Sequence, residues 1–120
     1  MPVRSLRSSV LRWPDRSQLD DAVRQWAATI AAARSGVLRV GYFGSYARGD
    51  WGVGSDVDLV VVTKGAVEPF YRRSLAYDCS QLPVAADMLV YTAEEWGSSH
   101  EATGSIEQRI GPVVWVYSRE

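Results

Sequence analysis

The sequence predicts a single α/β domain with a central mixed β-sheet and helices packed on it. Helix-period and strand-period segments alternate along the chain in the order α-β-β-α-β-α-β. The run Val57–Thr63 is nearly continuous in β-branched residues, as a central strand buried on both faces requires. The 120 residues, 47% hydrophobic and 22% charged, suit one domain that buries about two-thirds of its unfolded surface.

Each element has its own signal. Residues 1–14 show no period and read as an N-terminal arm, with the domain proper over 15–120. Arg4, Arg7, Arg12 and Arg16 crowd this end, and no acid precedes Asp15. A solvated arm is the plain reading; contact with a partner or an anionic substrate is the other. From Ser17 to Arg34, Leu19, Val23, Trp26 and Ile30 mark one helical face. Ser17 with Asp20 resembles a capping box, and Gly36 is a stop signal. Val37–Phe43 reads as a strand closed by Gly44. Residues 45–55 form a glycine-bearing loop with room for one helical turn at Tyr46–Arg48. After the strand Val57–Thr63, Glu68-Pro69 opens a helix with the stripe Tyr71, Leu75, Cys79 and Leu82, ended by Pro83. Val84–Tyr91 is the third strand. Thr92, Glu94 and Glu95 start another helix, Ile106–Ile110 forms a short one, and Val113–Tyr117 is the last strand.

Composition removes several function classes. The net charge of −1 gives no electrostatic case for direct nucleic-acid binding. Cys79 is the only cysteine, so there is no intrachain disulfide and no CxxC zinc site; it reads as buried and inert. His100 is the only histidine, so a histidine-pair metal site is excluded. No apolar run reaches a membrane span, and the arm lacks an apolar signal core, so a cytoplasmic protein is expected.

The informative pair is Asp56 and Asp58. Two residues apart at the start of a strand, they project to one face with Cα atoms about 6–7 Å apart. At an effective dielectric near 20 they repel by about 3 kcal/mol. A divalent cation offsets this, and Mg²⁺ takes one or two carboxylates plus phosphate oxygens and water. A solvent-exposed pair at the strand's edge is the competing reading. Gly44-Ser45 ends the preceding strand ten residues before Asp56. If the two strands are neighbours, the glycine-serine turn and the acids share one end of the sheet. Gly44 permits close approach, and Ser45 can offer its N–H and hydroxyl to a phosphate oxygen. Arg48 could pair with phosphate. Asp87 lies within an apolar strand, either ion-paired with an arginine or serving as a third carboxylate for a two-metal site. Trp51 could stack on a base or cover the core. The glycine-rich loop lacks the Gly-Lys-Ser/Thr ending of a P-loop and is not a Rossmann fingerprint.

The segments Gly44-Ser45-Tyr46-Ala47-Arg48-Gly49 and Ser55-Asp56-Val57-Asp58-Leu59 resemble the GSxARG…SDxDL signature of the DNA polymerase beta-like nucleotidyltransferase superfamily. Within it the chain most resembles the minimal nucleotidyltransferases, the MNT group. The resemblance implies a polymerase beta-like core and a Mg²⁺ cofactor. It implies that Gly44 and Ser45 bind the triphosphate of a nucleotide, with Arg48 at the family's arginine position. Asp56, Asp58 and Asp87 would be metal ligands, and Asp87 would also help deprotonate an acceptor hydroxyl. ATP is the expected donor. The companion the group implies is a helical HEPN-type protein, with AMP moved to a tyrosine of that toxin, an antitoxin role. A non-catalytic antitoxin or scaffold acting by contact, and a small-molecule nucleotidyltransferase completed by dimerisation, are the alternatives. The oligomeric state is open to either reading.

Overall fold

The computed structural model describes residues 13–102 and 106–119, with residues 98–102 described as backbone only. The arm's Arg4, Arg7 and Arg12 and the side chain of His100 therefore lie outside the described residues. In chain order come α1 (Arg16–Ala33), β1 (Val37–Phe43), α2 (Ser45–Arg48), β2 (Val57–Thr63), a 3₁₀ helix (Phe70–Ala76), β3 (Ala86–Thr92), α3 (Ala93–Ala102), α4 (Ile106–Ile110) and β4 (Val114–Ser118). The sheet order is β3-β2-β1-β4. β1 runs antiparallel to β2 and β4, and β2 parallel to β3, so the sheet is mixed as predicted.

Alternation along β2 divides the core in two. Val57, Leu59 and Val61 face α1, where Leu19, Val23, Trp26 and Ile30 are buried against them. Full burial of side chains of this kind contributes about 1.5–3 kcal/mol each. Val60 and Val62 face the other way and are covered by Trp96 of α3 and Ile106 of α4. β2 is thus the central strand covered on both faces that its composition predicts. Gly41 makes the second face possible. A Cβ there would come within 2.9 Å of the Trp115 ring and 2.8 Å of the Val114 carbonyl, so only glycine lets Trp115 lie across β1.

Three sequence expectations change. The α1 cap is Asp15, not Ser17: its carboxylate accepts from the Gln18 N–H at 2.8 Å, and the Gln18 side chain accepts from the Asp15 N–H at 3.0 Å. Asp20 instead accepts a 2.8 Å bond from the Tyr42 hydroxyl on β1. Asp15→Ala should therefore lower stability by about 1 kcal/mol in urea denaturation, whereas Ser17→Ala should leave it unchanged. The strand boundaries also shift. β3 starts at Ala86 rather than Val84, although Val84 stays buried, and β4 starts at Val114.

The third change is larger. The second helix is a short 3₁₀ helix, and Cys79 and Leu82 lie beyond it. Tyr71 and Leu75 are 78% and 76% exposed, so the predicted apolar stripe does not exist. Three residues per turn put Phe70 and Arg73 on one face instead. Arg73 is buried and forms a two-pronged pair with Glu95, at 2.6 and 3.1 Å. It also donates to the carbonyls of Glu68 and Val90, each at 3.1 Å. This pins the β2–β3 crossover to the start of α3. Arg73→Ala should cost about 3 kcal/mol, the low end for a broken buried pair because Glu95 is partly exposed. The Arg73 hydrogen bonds hold the Glu95 carboxyl below its usual range. The stability it contributes is present above the unfolded pKa of about 4.3 and lost as pH falls through the depressed folded value. Thermal midpoints followed from pH 6 down should fall less steeply in Arg73→Ala than in the wild type.

Candidate active site

The acids lie on the half of the second sheet face that α3 and α4 leave open. Asp58 shares its parity with Val60 and Val62, but its side chain is only partly buried, and Asp56 and Asp87 are exposed. β1 and β2 pair so that Phe43 stands opposite Asp58, and β2 and β3 pair so that Asp58 stands opposite Asp87. One row across the sheet therefore reads Phe43, Asp58, Asp87. Gly44 follows Phe43 directly, so the glycine-serine turn and the acids share one end of the sheet.

Gly44 is held where only glycine fits. Its backbone is at φ 73° and ψ −148°, a region that penalises any side chain. A Cβ there would overlap the Asp58 carboxylate. The turn is thus pressed against the acid, and glycine removes the obstacle. Ser45 begins α2 immediately afterwards, and no side chain caps that helix. The amides of its first turn have no intrahelical acceptor, so they can receive an anion. The Arg48 amide closes the turn onto the Gly44 carbonyl at 2.9 Å.

The electrostatics centre on Asp58. Burial pushes its carboxyl above the usual range, and the charges of Asp87 and Asp56 push it the same way; Arg48 opposes them weakly. Arg48 itself is exposed and pairs with Asp50 at 3.1 Å rather than with the acids. Asp87 lies at the second position of β3, exposed and without an arginine partner among the described residues, so the ion-pair reading of this acid fails. The third strand does place it beside Asp58. Among the described residues, no three His, Cys, Asp or Glu side chains converge tightly enough to hold a metal by themselves. The like charges share a face and a strand end without a closed cage. An all-oxygen set of one or two carboxylates is nevertheless what Mg²⁺ takes when a substrate's phosphates complete its shell. The excess negative charge at Asp58 is what such a cation would relieve.

Two aromatic residues frame the turn. Trp51 stacks on Tyr46 with ring centroids 5.3 Å apart and planes 15° from parallel, and it packs on the core. It thus covers the core, one of its two predicted roles. Tyr46 is fully buried; it accepts from the Trp13 indole N–H at 3.1 Å and donates to the Pro14 carbonyl at 3.2 Å. Trp13 and Pro14, the last residues of the predicted arm, therefore brace the glycine-serine turn from behind. Nothing in their spacing announces this: the contact spans 33 positions of sequence.

The mixed sheet thus brings a glycine-serine turn, the strand-borne Asp58 it presses against and a second acid, Asp87, to one end. A family model of the nucleotidyltransferase domain matches residues 24–107, and the chain belongs to that family. The matched span contains Gly44, Ser45, Arg48, Asp56, Asp58 and Asp87. Among solved structures, the chain is similar to a candidate nucleotidyltransferase from Sulfolobus solfataricus. The two share 22% identity and a TM-score of 0.64, over 87% of this chain and 84% of that one. That likeness concerns the fold alone. No curated protein matches the chain. No described helix is long and apolar enough to cross a membrane.

Proposed function

We propose that the protein transfers a nucleoside monophosphate, AMP from Mg²⁺-ATP, to a hydroxyl of a partner protein. The observation that carries this reading is the contact geometry of Gly44 with Asp58, aligned in one row with Asp87. In it, Gly44 and the first-turn amides at Ser45 bind the triphosphate tail, and Arg48 can swing from Asp50 to a phosphate oxygen. Asp56, Asp58 and Asp87 would hold the cation only once the substrate's phosphates complete its shell, and it would then supply charge neutralisation on those phosphates. Asp87 accepts the proton of the acceptor hydroxyl. The acceptor oxygen forms a bond to the α-phosphorus, the bond from that phosphorus to the α–β bridging oxygen breaks, and pyrophosphate leaves. The protein contributes positioning and preorganised charge.

A helical HEPN-type toxin is the partner favoured by the MNT resemblance, which makes the protein an antitoxin acting by chemistry in the cytoplasm. The exposed Asp87, without an ion-pair partner among the described residues, supports catalysis over a purely binding role because it stands beside a second acid where a cation or an acceptor's proton can be taken up. The test is Mg²⁺-dependent stabilisation by ATP, followed by transfer of labelled AMP to a co-purified partner. At a ligand concentration about 100 times Kd, ATP and Mg²⁺ together should stabilise the fold by about 2.7 kcal/mol. ATP without metal should do far less. A stabilisation that survives Asp56→Asn with Asp58→Asn would overturn the site assignment.

A further inference from the structure

We infer that the cleft beside the open edge of β3 is the acceptor's seat, and that its occupant is an extended, non-anionic, hydroxyl-bearing segment of a partner protein. The inference deepens the nucleotidyltransferase reading and takes the direction of attack from it. The sheet sets out the components in linear order: the glycine-serine turn after β1, Asp58 on β2, Asp87 on β3. Phosphoryl transfer keeps the attacking and leaving oxygens roughly in line. With the triphosphate tail at the β1 side, the attacking hydroxyl must come from the β3 side.

A cleft of about 570 Å³ lies there. Ser74, Tyr77 and Cys79 form one wall, and β3 from Ala86 to Leu89, including Asp87, forms the other. This volume suits a side chain with a short stretch of main chain. The lining holds one carboxylate and no cation. Arg34 is not in that lining; its guanidinium is engaged 4.7 Å from the Tyr77 ring centroid and donates to the Ala76 carbonyl at 2.7 Å. With Asp87 in its wall the cleft repels a polyanion, which directs the triphosphate away and disfavours a nucleic-acid acceptor.

The backbone of β3 adds a second reason. β3 is an edge strand. The Val57 N–H bonds the Ala85 carbonyl at 2.9 Å, so the alternate groups, the Ala86 carbonyl and the Met88 N–H, point outward. Arg73 occupies the outward Val90 carbonyl, closing the later part of this edge. No described residue pairs with the Met88 N–H. An extended segment pairing along Ala86–Met88 would satisfy that edge and bring a side chain to Asp87. On the 3₁₀ helix that carries Ser74, Phe70, Tyr71 and Leu75 are exposed and available for apolar contact.

Cys79, expected from the sequence to be buried and inert, is only partly buried and lines the cleft; as the only thiol in the sequence it is the group N-ethylmaleimide reports on. The probe is a set of uncharged heptapeptides, each with a central tyrosine, serine or threonine. Without nucleotide, peptides at about ten times their dissociation constant should slow maleimide reaction at Cys79 about tenfold. With Mg²⁺ and labelled ATP, the protecting peptides should become labelled. Blocking Cys79 with maleimide, or filling the cleft with Ser74→Tyr, should remove that labelling while leaving Mg²⁺-ATP stabilisation intact. Unchanged Cys79 reactivity under millimolar peptide, or undiminished labelling in the blocked protein, would overturn the inference. Loss of Mg²⁺-ATP stabilisation in the untreated wild type would instead strike the transferase reading, and the protection experiment, which uses no nucleotide, still decides the cleft.

Discussion

Replacing Asp58 by asparagine should abolish nucleotidyl transfer and, without metal, make the protein more stable. Asp58 stands opposite Asp87 on the neighbouring strand and is partly buried, and its ionised form is disfavoured by burial first and by two like charges second. Charges about 5 Å apart on adjacent strands repel by about 1 kcal/mol in water-like surroundings and about 3 kcal/mol at an effective dielectric of 20. The asparagine side chain keeps the shape and removes that repulsion. A gain of about 1 kcal/mol corresponds to a rise in thermal midpoint of about 4 °C in a 120-residue domain. Transfer should fall by about three orders of magnitude, as loss of several kcal/mol of transition-state charge stabilisation requires. Pyrophosphate release and thermal denaturation with and without Mg²⁺ measure the two effects. The sign with pH follows. A carboxyl raised above its unfolded pKa stabilises the fold below that pKa, and the contribution is lost as pH rises through the folded value. Asp58 therefore works against Glu95, which Arg73 holds in the opposite direction. A lowered midpoint in Asp58→Asn would show that the ionised acid is a structural asset and not a site held at a cost.

Gly44→Ala should be the most damaging single methyl group in the site. The new Cβ would meet the Asp58 carboxylate, and the backbone angle of φ 73° is one that L side chains rarely adopt. Strain of that kind costs about 1–3 kcal/mol, before any shift of Asp58 is counted. The chain can respond only by moving the turn or the acid, and either separates the phosphate amides from the cation site. Urea denaturation should show the stability loss, and Mg²⁺-ATP should no longer stabilise what remains folded. Gly49→Ala separates the two causes. Gly49 also has a positive φ, 86°, but a Cβ there meets nothing within 4 Å, so the strain should appear without the loss of nucleotide binding. Equal loss of binding in both variants would mean that the contact with Asp58 is incidental.

The strands and their alternation were legible because period is a local property. Val57–Thr63 announces burial on both faces in its own composition, and the structure delivers it. The 3₁₀ helix was not legible, because its apolar residues suggest a stripe that a buried arginine overrides. Nothing near Arg73 names Glu95 as its partner, 22 positions away.

The sequence by itself determined the inventory of the site: a glycine-serine turn, two acids at strand spacing, a third acid on a later strand, and the loop between them. These are short-range patterns of residue type, and chemistry that needs a carboxylate or a missing Cβ leaves them visible. Only the tertiary structure decided which strands are neighbours, and so which residues meet. Antiparallel pairing of β1 and β2 sets the turn on Asp58, and parallel pairing of β2 and β3 sets Asp87 beside it. The same topology leaves β3 at the edge, with a cleft beside it. Strand order arises from long-range burial on the two faces of the sheet, and no window of sequence contains that balance.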